Sequence, residues 1–114
     1  MKALRRRLTV LSKIYSYVGF AIKAKKLRCG VNVVETLKKD VYLLILCSSA
    51  SENTLEDAQK LQKKFNCPLL ILKGDLLENI THKANCKLCA VCEPNLARAI
   101  IDNSDDTIGE ITEV

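Results

Sequence analysis

Apolar residues recur every three or four positions from Leu4 through Leu8, Leu11, Ile14 or Tyr15, Val18 and Ile22, which predicts an amphipathic helix over residues 4–24. The run Lys25-Lys26-Leu27-Arg28-Cys29-Gly30 breaks that period, and a short helix from Val31 to Lys39 is expected next, with Val34 and Leu37 facing inward. Val41 to Cys47 is short and continuously apolar, the pattern of a central strand buried on both faces. Asn53 with Glu56 three positions later has the form of a capping box. Leu55, Ala58, Leu61, Gln62 and Phe65 continue the helix that box would open, and Pro68 lies beyond its end. Leu69 to Leu72 is expected to be a second buried strand, Asp75 to Ile80 a short helix and Cys86 to Cys92 a third strand. Pro94 stands where a proline opens a helix, here one running through Ile101. Alternating helices and buried strands predict an α/β layered sandwich around a small sheet. One domain over residues 1–102 is expected, followed by an acidic, frayed tail over residues 103–114.

Composition narrows the functional classes. At 114 residues, 48% hydrophobic, with four Gly and two Pro, the chain is neither fibrous nor disordered. The longest apolar run has seven residues, against roughly 20 for a spanning helix. Met1 to Arg7 has the basic start of an export signal, but Thr9, Ser12 and Lys13 interrupt the stretch that would follow. A cytoplasmic protein is therefore expected, with its six cysteines held as thiols.

Charge is segregated along the chain. Residues 1–39 carry eleven bases and one acid, whereas the last thirteen carry five acids and no base. A basic segment of that density points to a polyanion partner or to a solvated helix face. Aromatic residues make up only 4% of the chain, too few for an extended base-stacking platform.

Four features invite chemistry. Cys86-x-x-Cys89-x-x-Cys92 has a ligand-like spacing. On a strand, however, Cys86 and Cys92 would share one face and Cys89 the other, so three sulfurs would not converge. His82, the single histidine, has no nucleophile paired with it in sequence, and the glycines form no phosphate-cradling loop. Asp102-Asn-Ser-Asp-Asp106 lacks the glycine and terminal glutamate of a calcium loop. No catalytic residue, cofactor or metal is expected.

Val18-Gly-Phe-Ala-Ile-Lys-Ala-Lys-Lys-Leu27 with Gly30, Ser49-Ala-Ser-Glu-Asn-Thr54, Asn66-Cys-Pro-Leu-Leu-Ile71 and Ala90-Val-Cys-Glu-Pro-Asn-Leu-Ala-Arg98 follow one another at distinctive spacing. Together they resemble bacterial YlxQ-type proteins, relatives of the archaeal ribosomal protein L-seven-Ae and the eukaryotic ribosomal protein L-thirty-e. The resemblance spans about residues 8–102. It implies a three-layer α/β/α sandwich with a four-stranded mixed sheet, no catalysis, and binding of structured RNA of the kink-turn type, such as ribosomal RNA, by a monomer.

Carried over residue by residue, the RNA surface would combine Lys26, Arg28, Gly30, Val31 and Asn32 with Cys92, Glu93, Pro94 and Asn95. Lys23 and Lys25 stand just upstream, placed to neutralise phosphate. Asn32 matches the family's Asn-Glu motif, but Val33 and Thr36 stand where a glutamate and a lysine are usual. Lys25, Glu78 and His82 replace family residues at the turn and in the fourth helix. These departures predict few base-edge contacts and binding led by phosphates. They also raise an alternative, a protein-interaction domain of the same fold.

Overall fold

The computed structural model describes residues 2–74, 76–81, 86–104 and 109–112, with side chains from Lys13 onward except that of Leu76. Helix α1 (Lys2–Lys23) leads through a tight turn into β1 (Leu27–Cys29) and α2 (Val31–Thr36). Strand β2 (Leu43–Cys47), α3 (Glu52–Phe65), β3 (Leu69–Leu72), α4 (Leu76–Thr81), β4 (Leu88–Val91), α5 (Pro94–Asp102) and β5 (Gly109–Thr112) follow.

The five strands form one mixed sheet in the order β1-β4-β2-β3-β5. Only β2 and β3 run parallel; every other pairing is antiparallel. All five residues of β2 and all four of β4 are buried, as strands covered on both faces require. Alternation along these strands separates two cores. On one face Leu43, Ile45, Leu70, Cys89 and Val91 pack with Ile14 and Val18 of α1, Leu77 of α4 and Ile100 of α5. On the other, Leu44, Leu46, Leu69, Leu88 and Ala90 pack with Val34 of α2 and Ala58 and Leu61 of α3. The result is an α/β/α sandwich with α1, α4 and α5 on one side and α2 and α3 on the other.

The sheet has five strands rather than four, and the expected tail contains the fifth. Gly109–Thr112 pairs with β3, and the Gln62 side-chain amide donates to the Thr112 carbonyl at 2.7 Å. Its apolar content is a single half-buried Ile111, too little to mark a strand from sequence. Strand β1 lies at the opposite edge, inside the segment that merely broke the helical period.

The cap of α3 also differs from expectation. Ser51, not Asn53, is the N-cap, accepting from the Thr54 backbone N–H at 3.2 Å. Asn53 lies within the first turn, where a capping side chain has no role. His82 and the acids Asp105 and Asp106 lie outside the described residues. Among the described residues, no helix is long and apolar enough to cross a membrane.

Candidate nucleic-acid interface

The turn between α1 and β1 is a cationic corner built on backbone geometry. The Lys26 N–H donates to the Ala21 carbonyl at 2.8 Å and the Lys25 N–H to that of Ile22 at 3.0 Å, closing the helix. Lys25 takes a left-handed backbone with φ of 59°, which turns the chain into β1. Lys23, Lys25, Lys26 and Arg28 are all exposed. Arg28 alternates with Leu27 and Cys29, whose side chains enter the core on the α1 side.

The loop after β4 meets this corner. The Cys92 N–H donates to the Lys26 carbonyl at 2.7 Å. The Cys92 thiol is pushed up by burial, while the nearby Arg28 and Lys26 charges pull it down and Asp40 raises it. Both cations therefore act on the same loop. Glu93 is occupied locally: its carboxylate accepts from the backbone N–H groups of Asn95 at 3.1 Å and Leu96 at 2.6 Å, capping α5. Pro94 and Asn95 are exposed beside it.

Gly30, Val31 and Asn32 stand elsewhere. The Gly30 N–H donates to the Leu88 carbonyl at 2.8 Å, at the far end of the β1–β4 ladder from the Lys26–Cys92 bond. Four residues separate the two bonds on each strand, a span of about 13 Å at ~3.3 Å per residue. Gly30 has φ of 97°, a conformation that favours glycine, and serves as N-cap of α2 without a side-chain bond. Val31 is half-buried against the α2–α3 core and Asn32 is exposed. The structure thus joins Lys25, Lys26 and Arg28 to Cys92–Asn95, and sets Gly30–Asn32 beside the segment that enters β4. The two halves do not converge on one point.

Of the residues that depart from the family pattern, Val33 is 45% exposed. Thr36 spends its hydroxyl on the Val33 carbonyl at 2.6 Å. Glu78 pairs with Lys87, whose ammonium also donates to Ser49 Oγ at 3.0 Å. The Glu78 hydrogen bond raises the Lys87 pKa.

Sequence reasoning missed Tyr42. Its N–H donates to the Val91 carbonyl at 2.9 Å, placing it beside the Cys92 loop, and its ring is 37% exposed. Burial chiefly, then the Asp40 and Glu93 charges, raises its pKa. Together with Pro68, Pro94, Ala97, Arg98 and Ile101 it lines an open groove of about 300 Å³. The available signal was an aromatic residue at the only exposed position between Val41 and Cys47.

The cysteines are arranged otherwise than strand alternation predicts. Regular strand geometry begins only at Leu88, so Cys86 is free of the alternation and turns to the same face as Cys89. Cys92 faces the opposite core. The third sulfur beside Cys89 belongs to Cys29, its register partner on β1. The expected sharing of a face by Cys86 and Cys92 is therefore overturned; the three motif sulfurs stay apart, and the group that converges is Cys29, Cys86 and Cys89.

No family model matches the chain, and no curated protein matches it. Among solved structures, it is similar to a protein of unknown function from Bacillus halodurans C, with a TM-score of 0.66 and 22% identity over 80% of this chain and 95% of that one. That likeness establishes the fold.

Proposed function

We propose that this protein is a small, non-catalytic RNA-binding module that holds structured RNA, kink-turns included, mainly through its phosphates. The observation that carries the reading is the cluster of exposed cations Lys23, Lys25, Lys26 and Arg28, bonded through the Lys26 carbonyl to the loop after β4. Exposed Lys and Arg side chains neutralise phosphates, and the β1–β4 ladder fixes Lys26 and Arg28 beside the loop. Tyr42 adds one exposed ring on which a splayed base can stack. The sequence resemblance to ribosomal proteins is the ground for reading the protein as a cytoplasmic, ribosome-associated monomer. Because Gly30–Asn32 lies about 13 Å along the ladder, an RNA touching both halves runs along the β1 edge.

A gel-shift series at low salt, with a kink-turn and a matched straight duplex, tests this directly. Both RNAs should bind, with little preference between them. Absence of binding to either at low salt overturns the reading.

The second reading, a protein-interaction domain, is favoured by the exposure of Val33 at the start of α2 and of Phe20 at 53% on α1. Pull-down after nuclease treatment separates the two, since partners that survive nuclease belong to the second.

A further inference from the structure

Cys29 of β1 meets Cys86 and Cys89 in a compact group of sulfurs, on the face of the sheet opposite the exposed Arg28. The Cys89 sulfur lies 3.2 Å from that of Cys29 and 3.1 Å from that of Cys86, and all three lie within 4.8 Å of one another. Two geometric facts create the group. The Gly30–Leu88 and Lys26–Cys92 hydrogen bonds make Cys29 and Cys89 a non-hydrogen-bonded pair, the register position at which facing side chains approach most closely. Cys86 then folds back onto the same face ahead of the strand.

The surroundings are apolar. Cys89 is fully buried and Cys86 is 4% exposed, in the core that also holds Ile14, Val18 and Val91. Cys29 is half-buried and provides the way in. Among the described residues, the groups that act on the Cys89 sulfur are Cys29 and Cys86, whose hydrogen bonds, and then burial, push its thiol up.

We propose that these three thiols form a binding site for a trivalent thiophilic metalloid of the arsenite class. Charge balance selects this ligand. Three thiolates around one monovalent or divalent ion leave a net negative charge in an apolar pocket, which is costly without a counter-charge. Three thiolates around a trivalent centre are neutral.

Spacing agrees with that selection. A tetrahedral zinc cage with bonds of about 2.3 Å holds its sulfurs ~3.8 Å apart and wants a fourth ligand. Here the group has three members among the described residues, with two separations of 3.2 and 3.1 Å and the third within 4.8 Å. A pyramidal three-bond centre suits closer sulfurs.

The reaction is a condensation without redox change: As(OH)3 and three Cys–SH give As(S–Cys)3 and three water molecules. Each As–O bond is replaced by an As–S bond, and each thiol proton leaves in water. No base, oxidant or reductant is needed.

The test is titration of the reduced, full-length protein with arsenite under anaerobic conditions. One arsenic should bind per chain, with a mass gain of one arsenic less three hydrogens. X-ray absorption should show three sulfur neighbours and no oxygen. Cys29→Ala, at the half-buried position, should keep its fold and lose at least tenfold in affinity, while Cys92→Ala should bind as the parent does. Two-sulfur coordination, unaltered binding in Cys29→Ala, or no binding to the parent protein overturns the proposal. Tighter retention of Zn(II) or Cu(I) than of arsenite, in direct competition, also overturns it.

Discussion

Ser51 and Asn53 both offer a capping side chain at the start of α3, and the sequence places the capping box on the second. The structure uses the first, so the two residues should differ in a simple experiment. Ser51→Ala removes the acceptor of the Thr54 N–H and should cost about 1 kcal/mol in chemical denaturation. Asn53→Ala should stay within about 0.5 kcal/mol of the parent, as exposed substitutions away from special contacts do. Equal losses at the two positions contradict the assignment. Cys67 gives a second prediction at this scale. Burial pushes its thiol from 9.0 up to about 11. A raised pKa means that the folded protein holds the proton more tightly than the unfolded chain, so this contribution to stability is complete below pH 9 and is lost as the pH climbs to about 11. Denaturation midpoints should fall across that interval, and the fall should be smaller in Cys67→Ala.

Among the elements, the buried ones were legible and the edges were not. Val41–Cys47 and Leu69–Leu72 read as strands because burial on both faces demands unbroken apolar sequence, and Pro94 announced α5 by its place at a helix start. β1 has three residues with an exposed arginine at its centre, and β5 reads Gly-Glu-Ile-Thr; one-sided edge strands carry too little apolar signal to separate from loops. The candidate site followed the same division. Its cations are visible as a charge run, but their meeting with the Cys92 loop depends on the β1–β4 register, which no local pattern encodes. The meeting of Cys29 with Cys89 depends on that register too. β5 makes a testable demand through Gly109, where an added Cβ would run into the Ile71 carbonyl of the paired strand. Gly109→Ala should therefore displace β5 and weaken the Gln62 to Thr112 hydrogen bond. A loss of about 1–3 kcal/mol is expected, together with faster amide exchange along β3. Parent-like stability and exchange would show that β5 is not docked as described.

For the whole molecule, the exposed cations and the edge strands set a direction. The cations of the α1–β1 turn and β1 stand at one edge of the sheet, and the β5 edge with Glu110 stands at the other. The cations at the β1 edge are placed to attract a polyanion there. Binding led by phosphates has one signature that specific base readout does not share, a steep dependence on salt carried by identifiable cations. The decisive measurement is the affinity for a structured RNA across a salt series, for the parent and for the Lys26→Ala, Arg28→Ala double variant. The logarithm of affinity should fall linearly with the logarithm of salt, and the double variant should bind more weakly with a slope shallower by about 2 units. The loss should be alike for a kink-turn and a straight duplex. A slope unchanged by removing both cations, or a loss confined to the kink-turn, contradicts a phosphate-led interface at this corner.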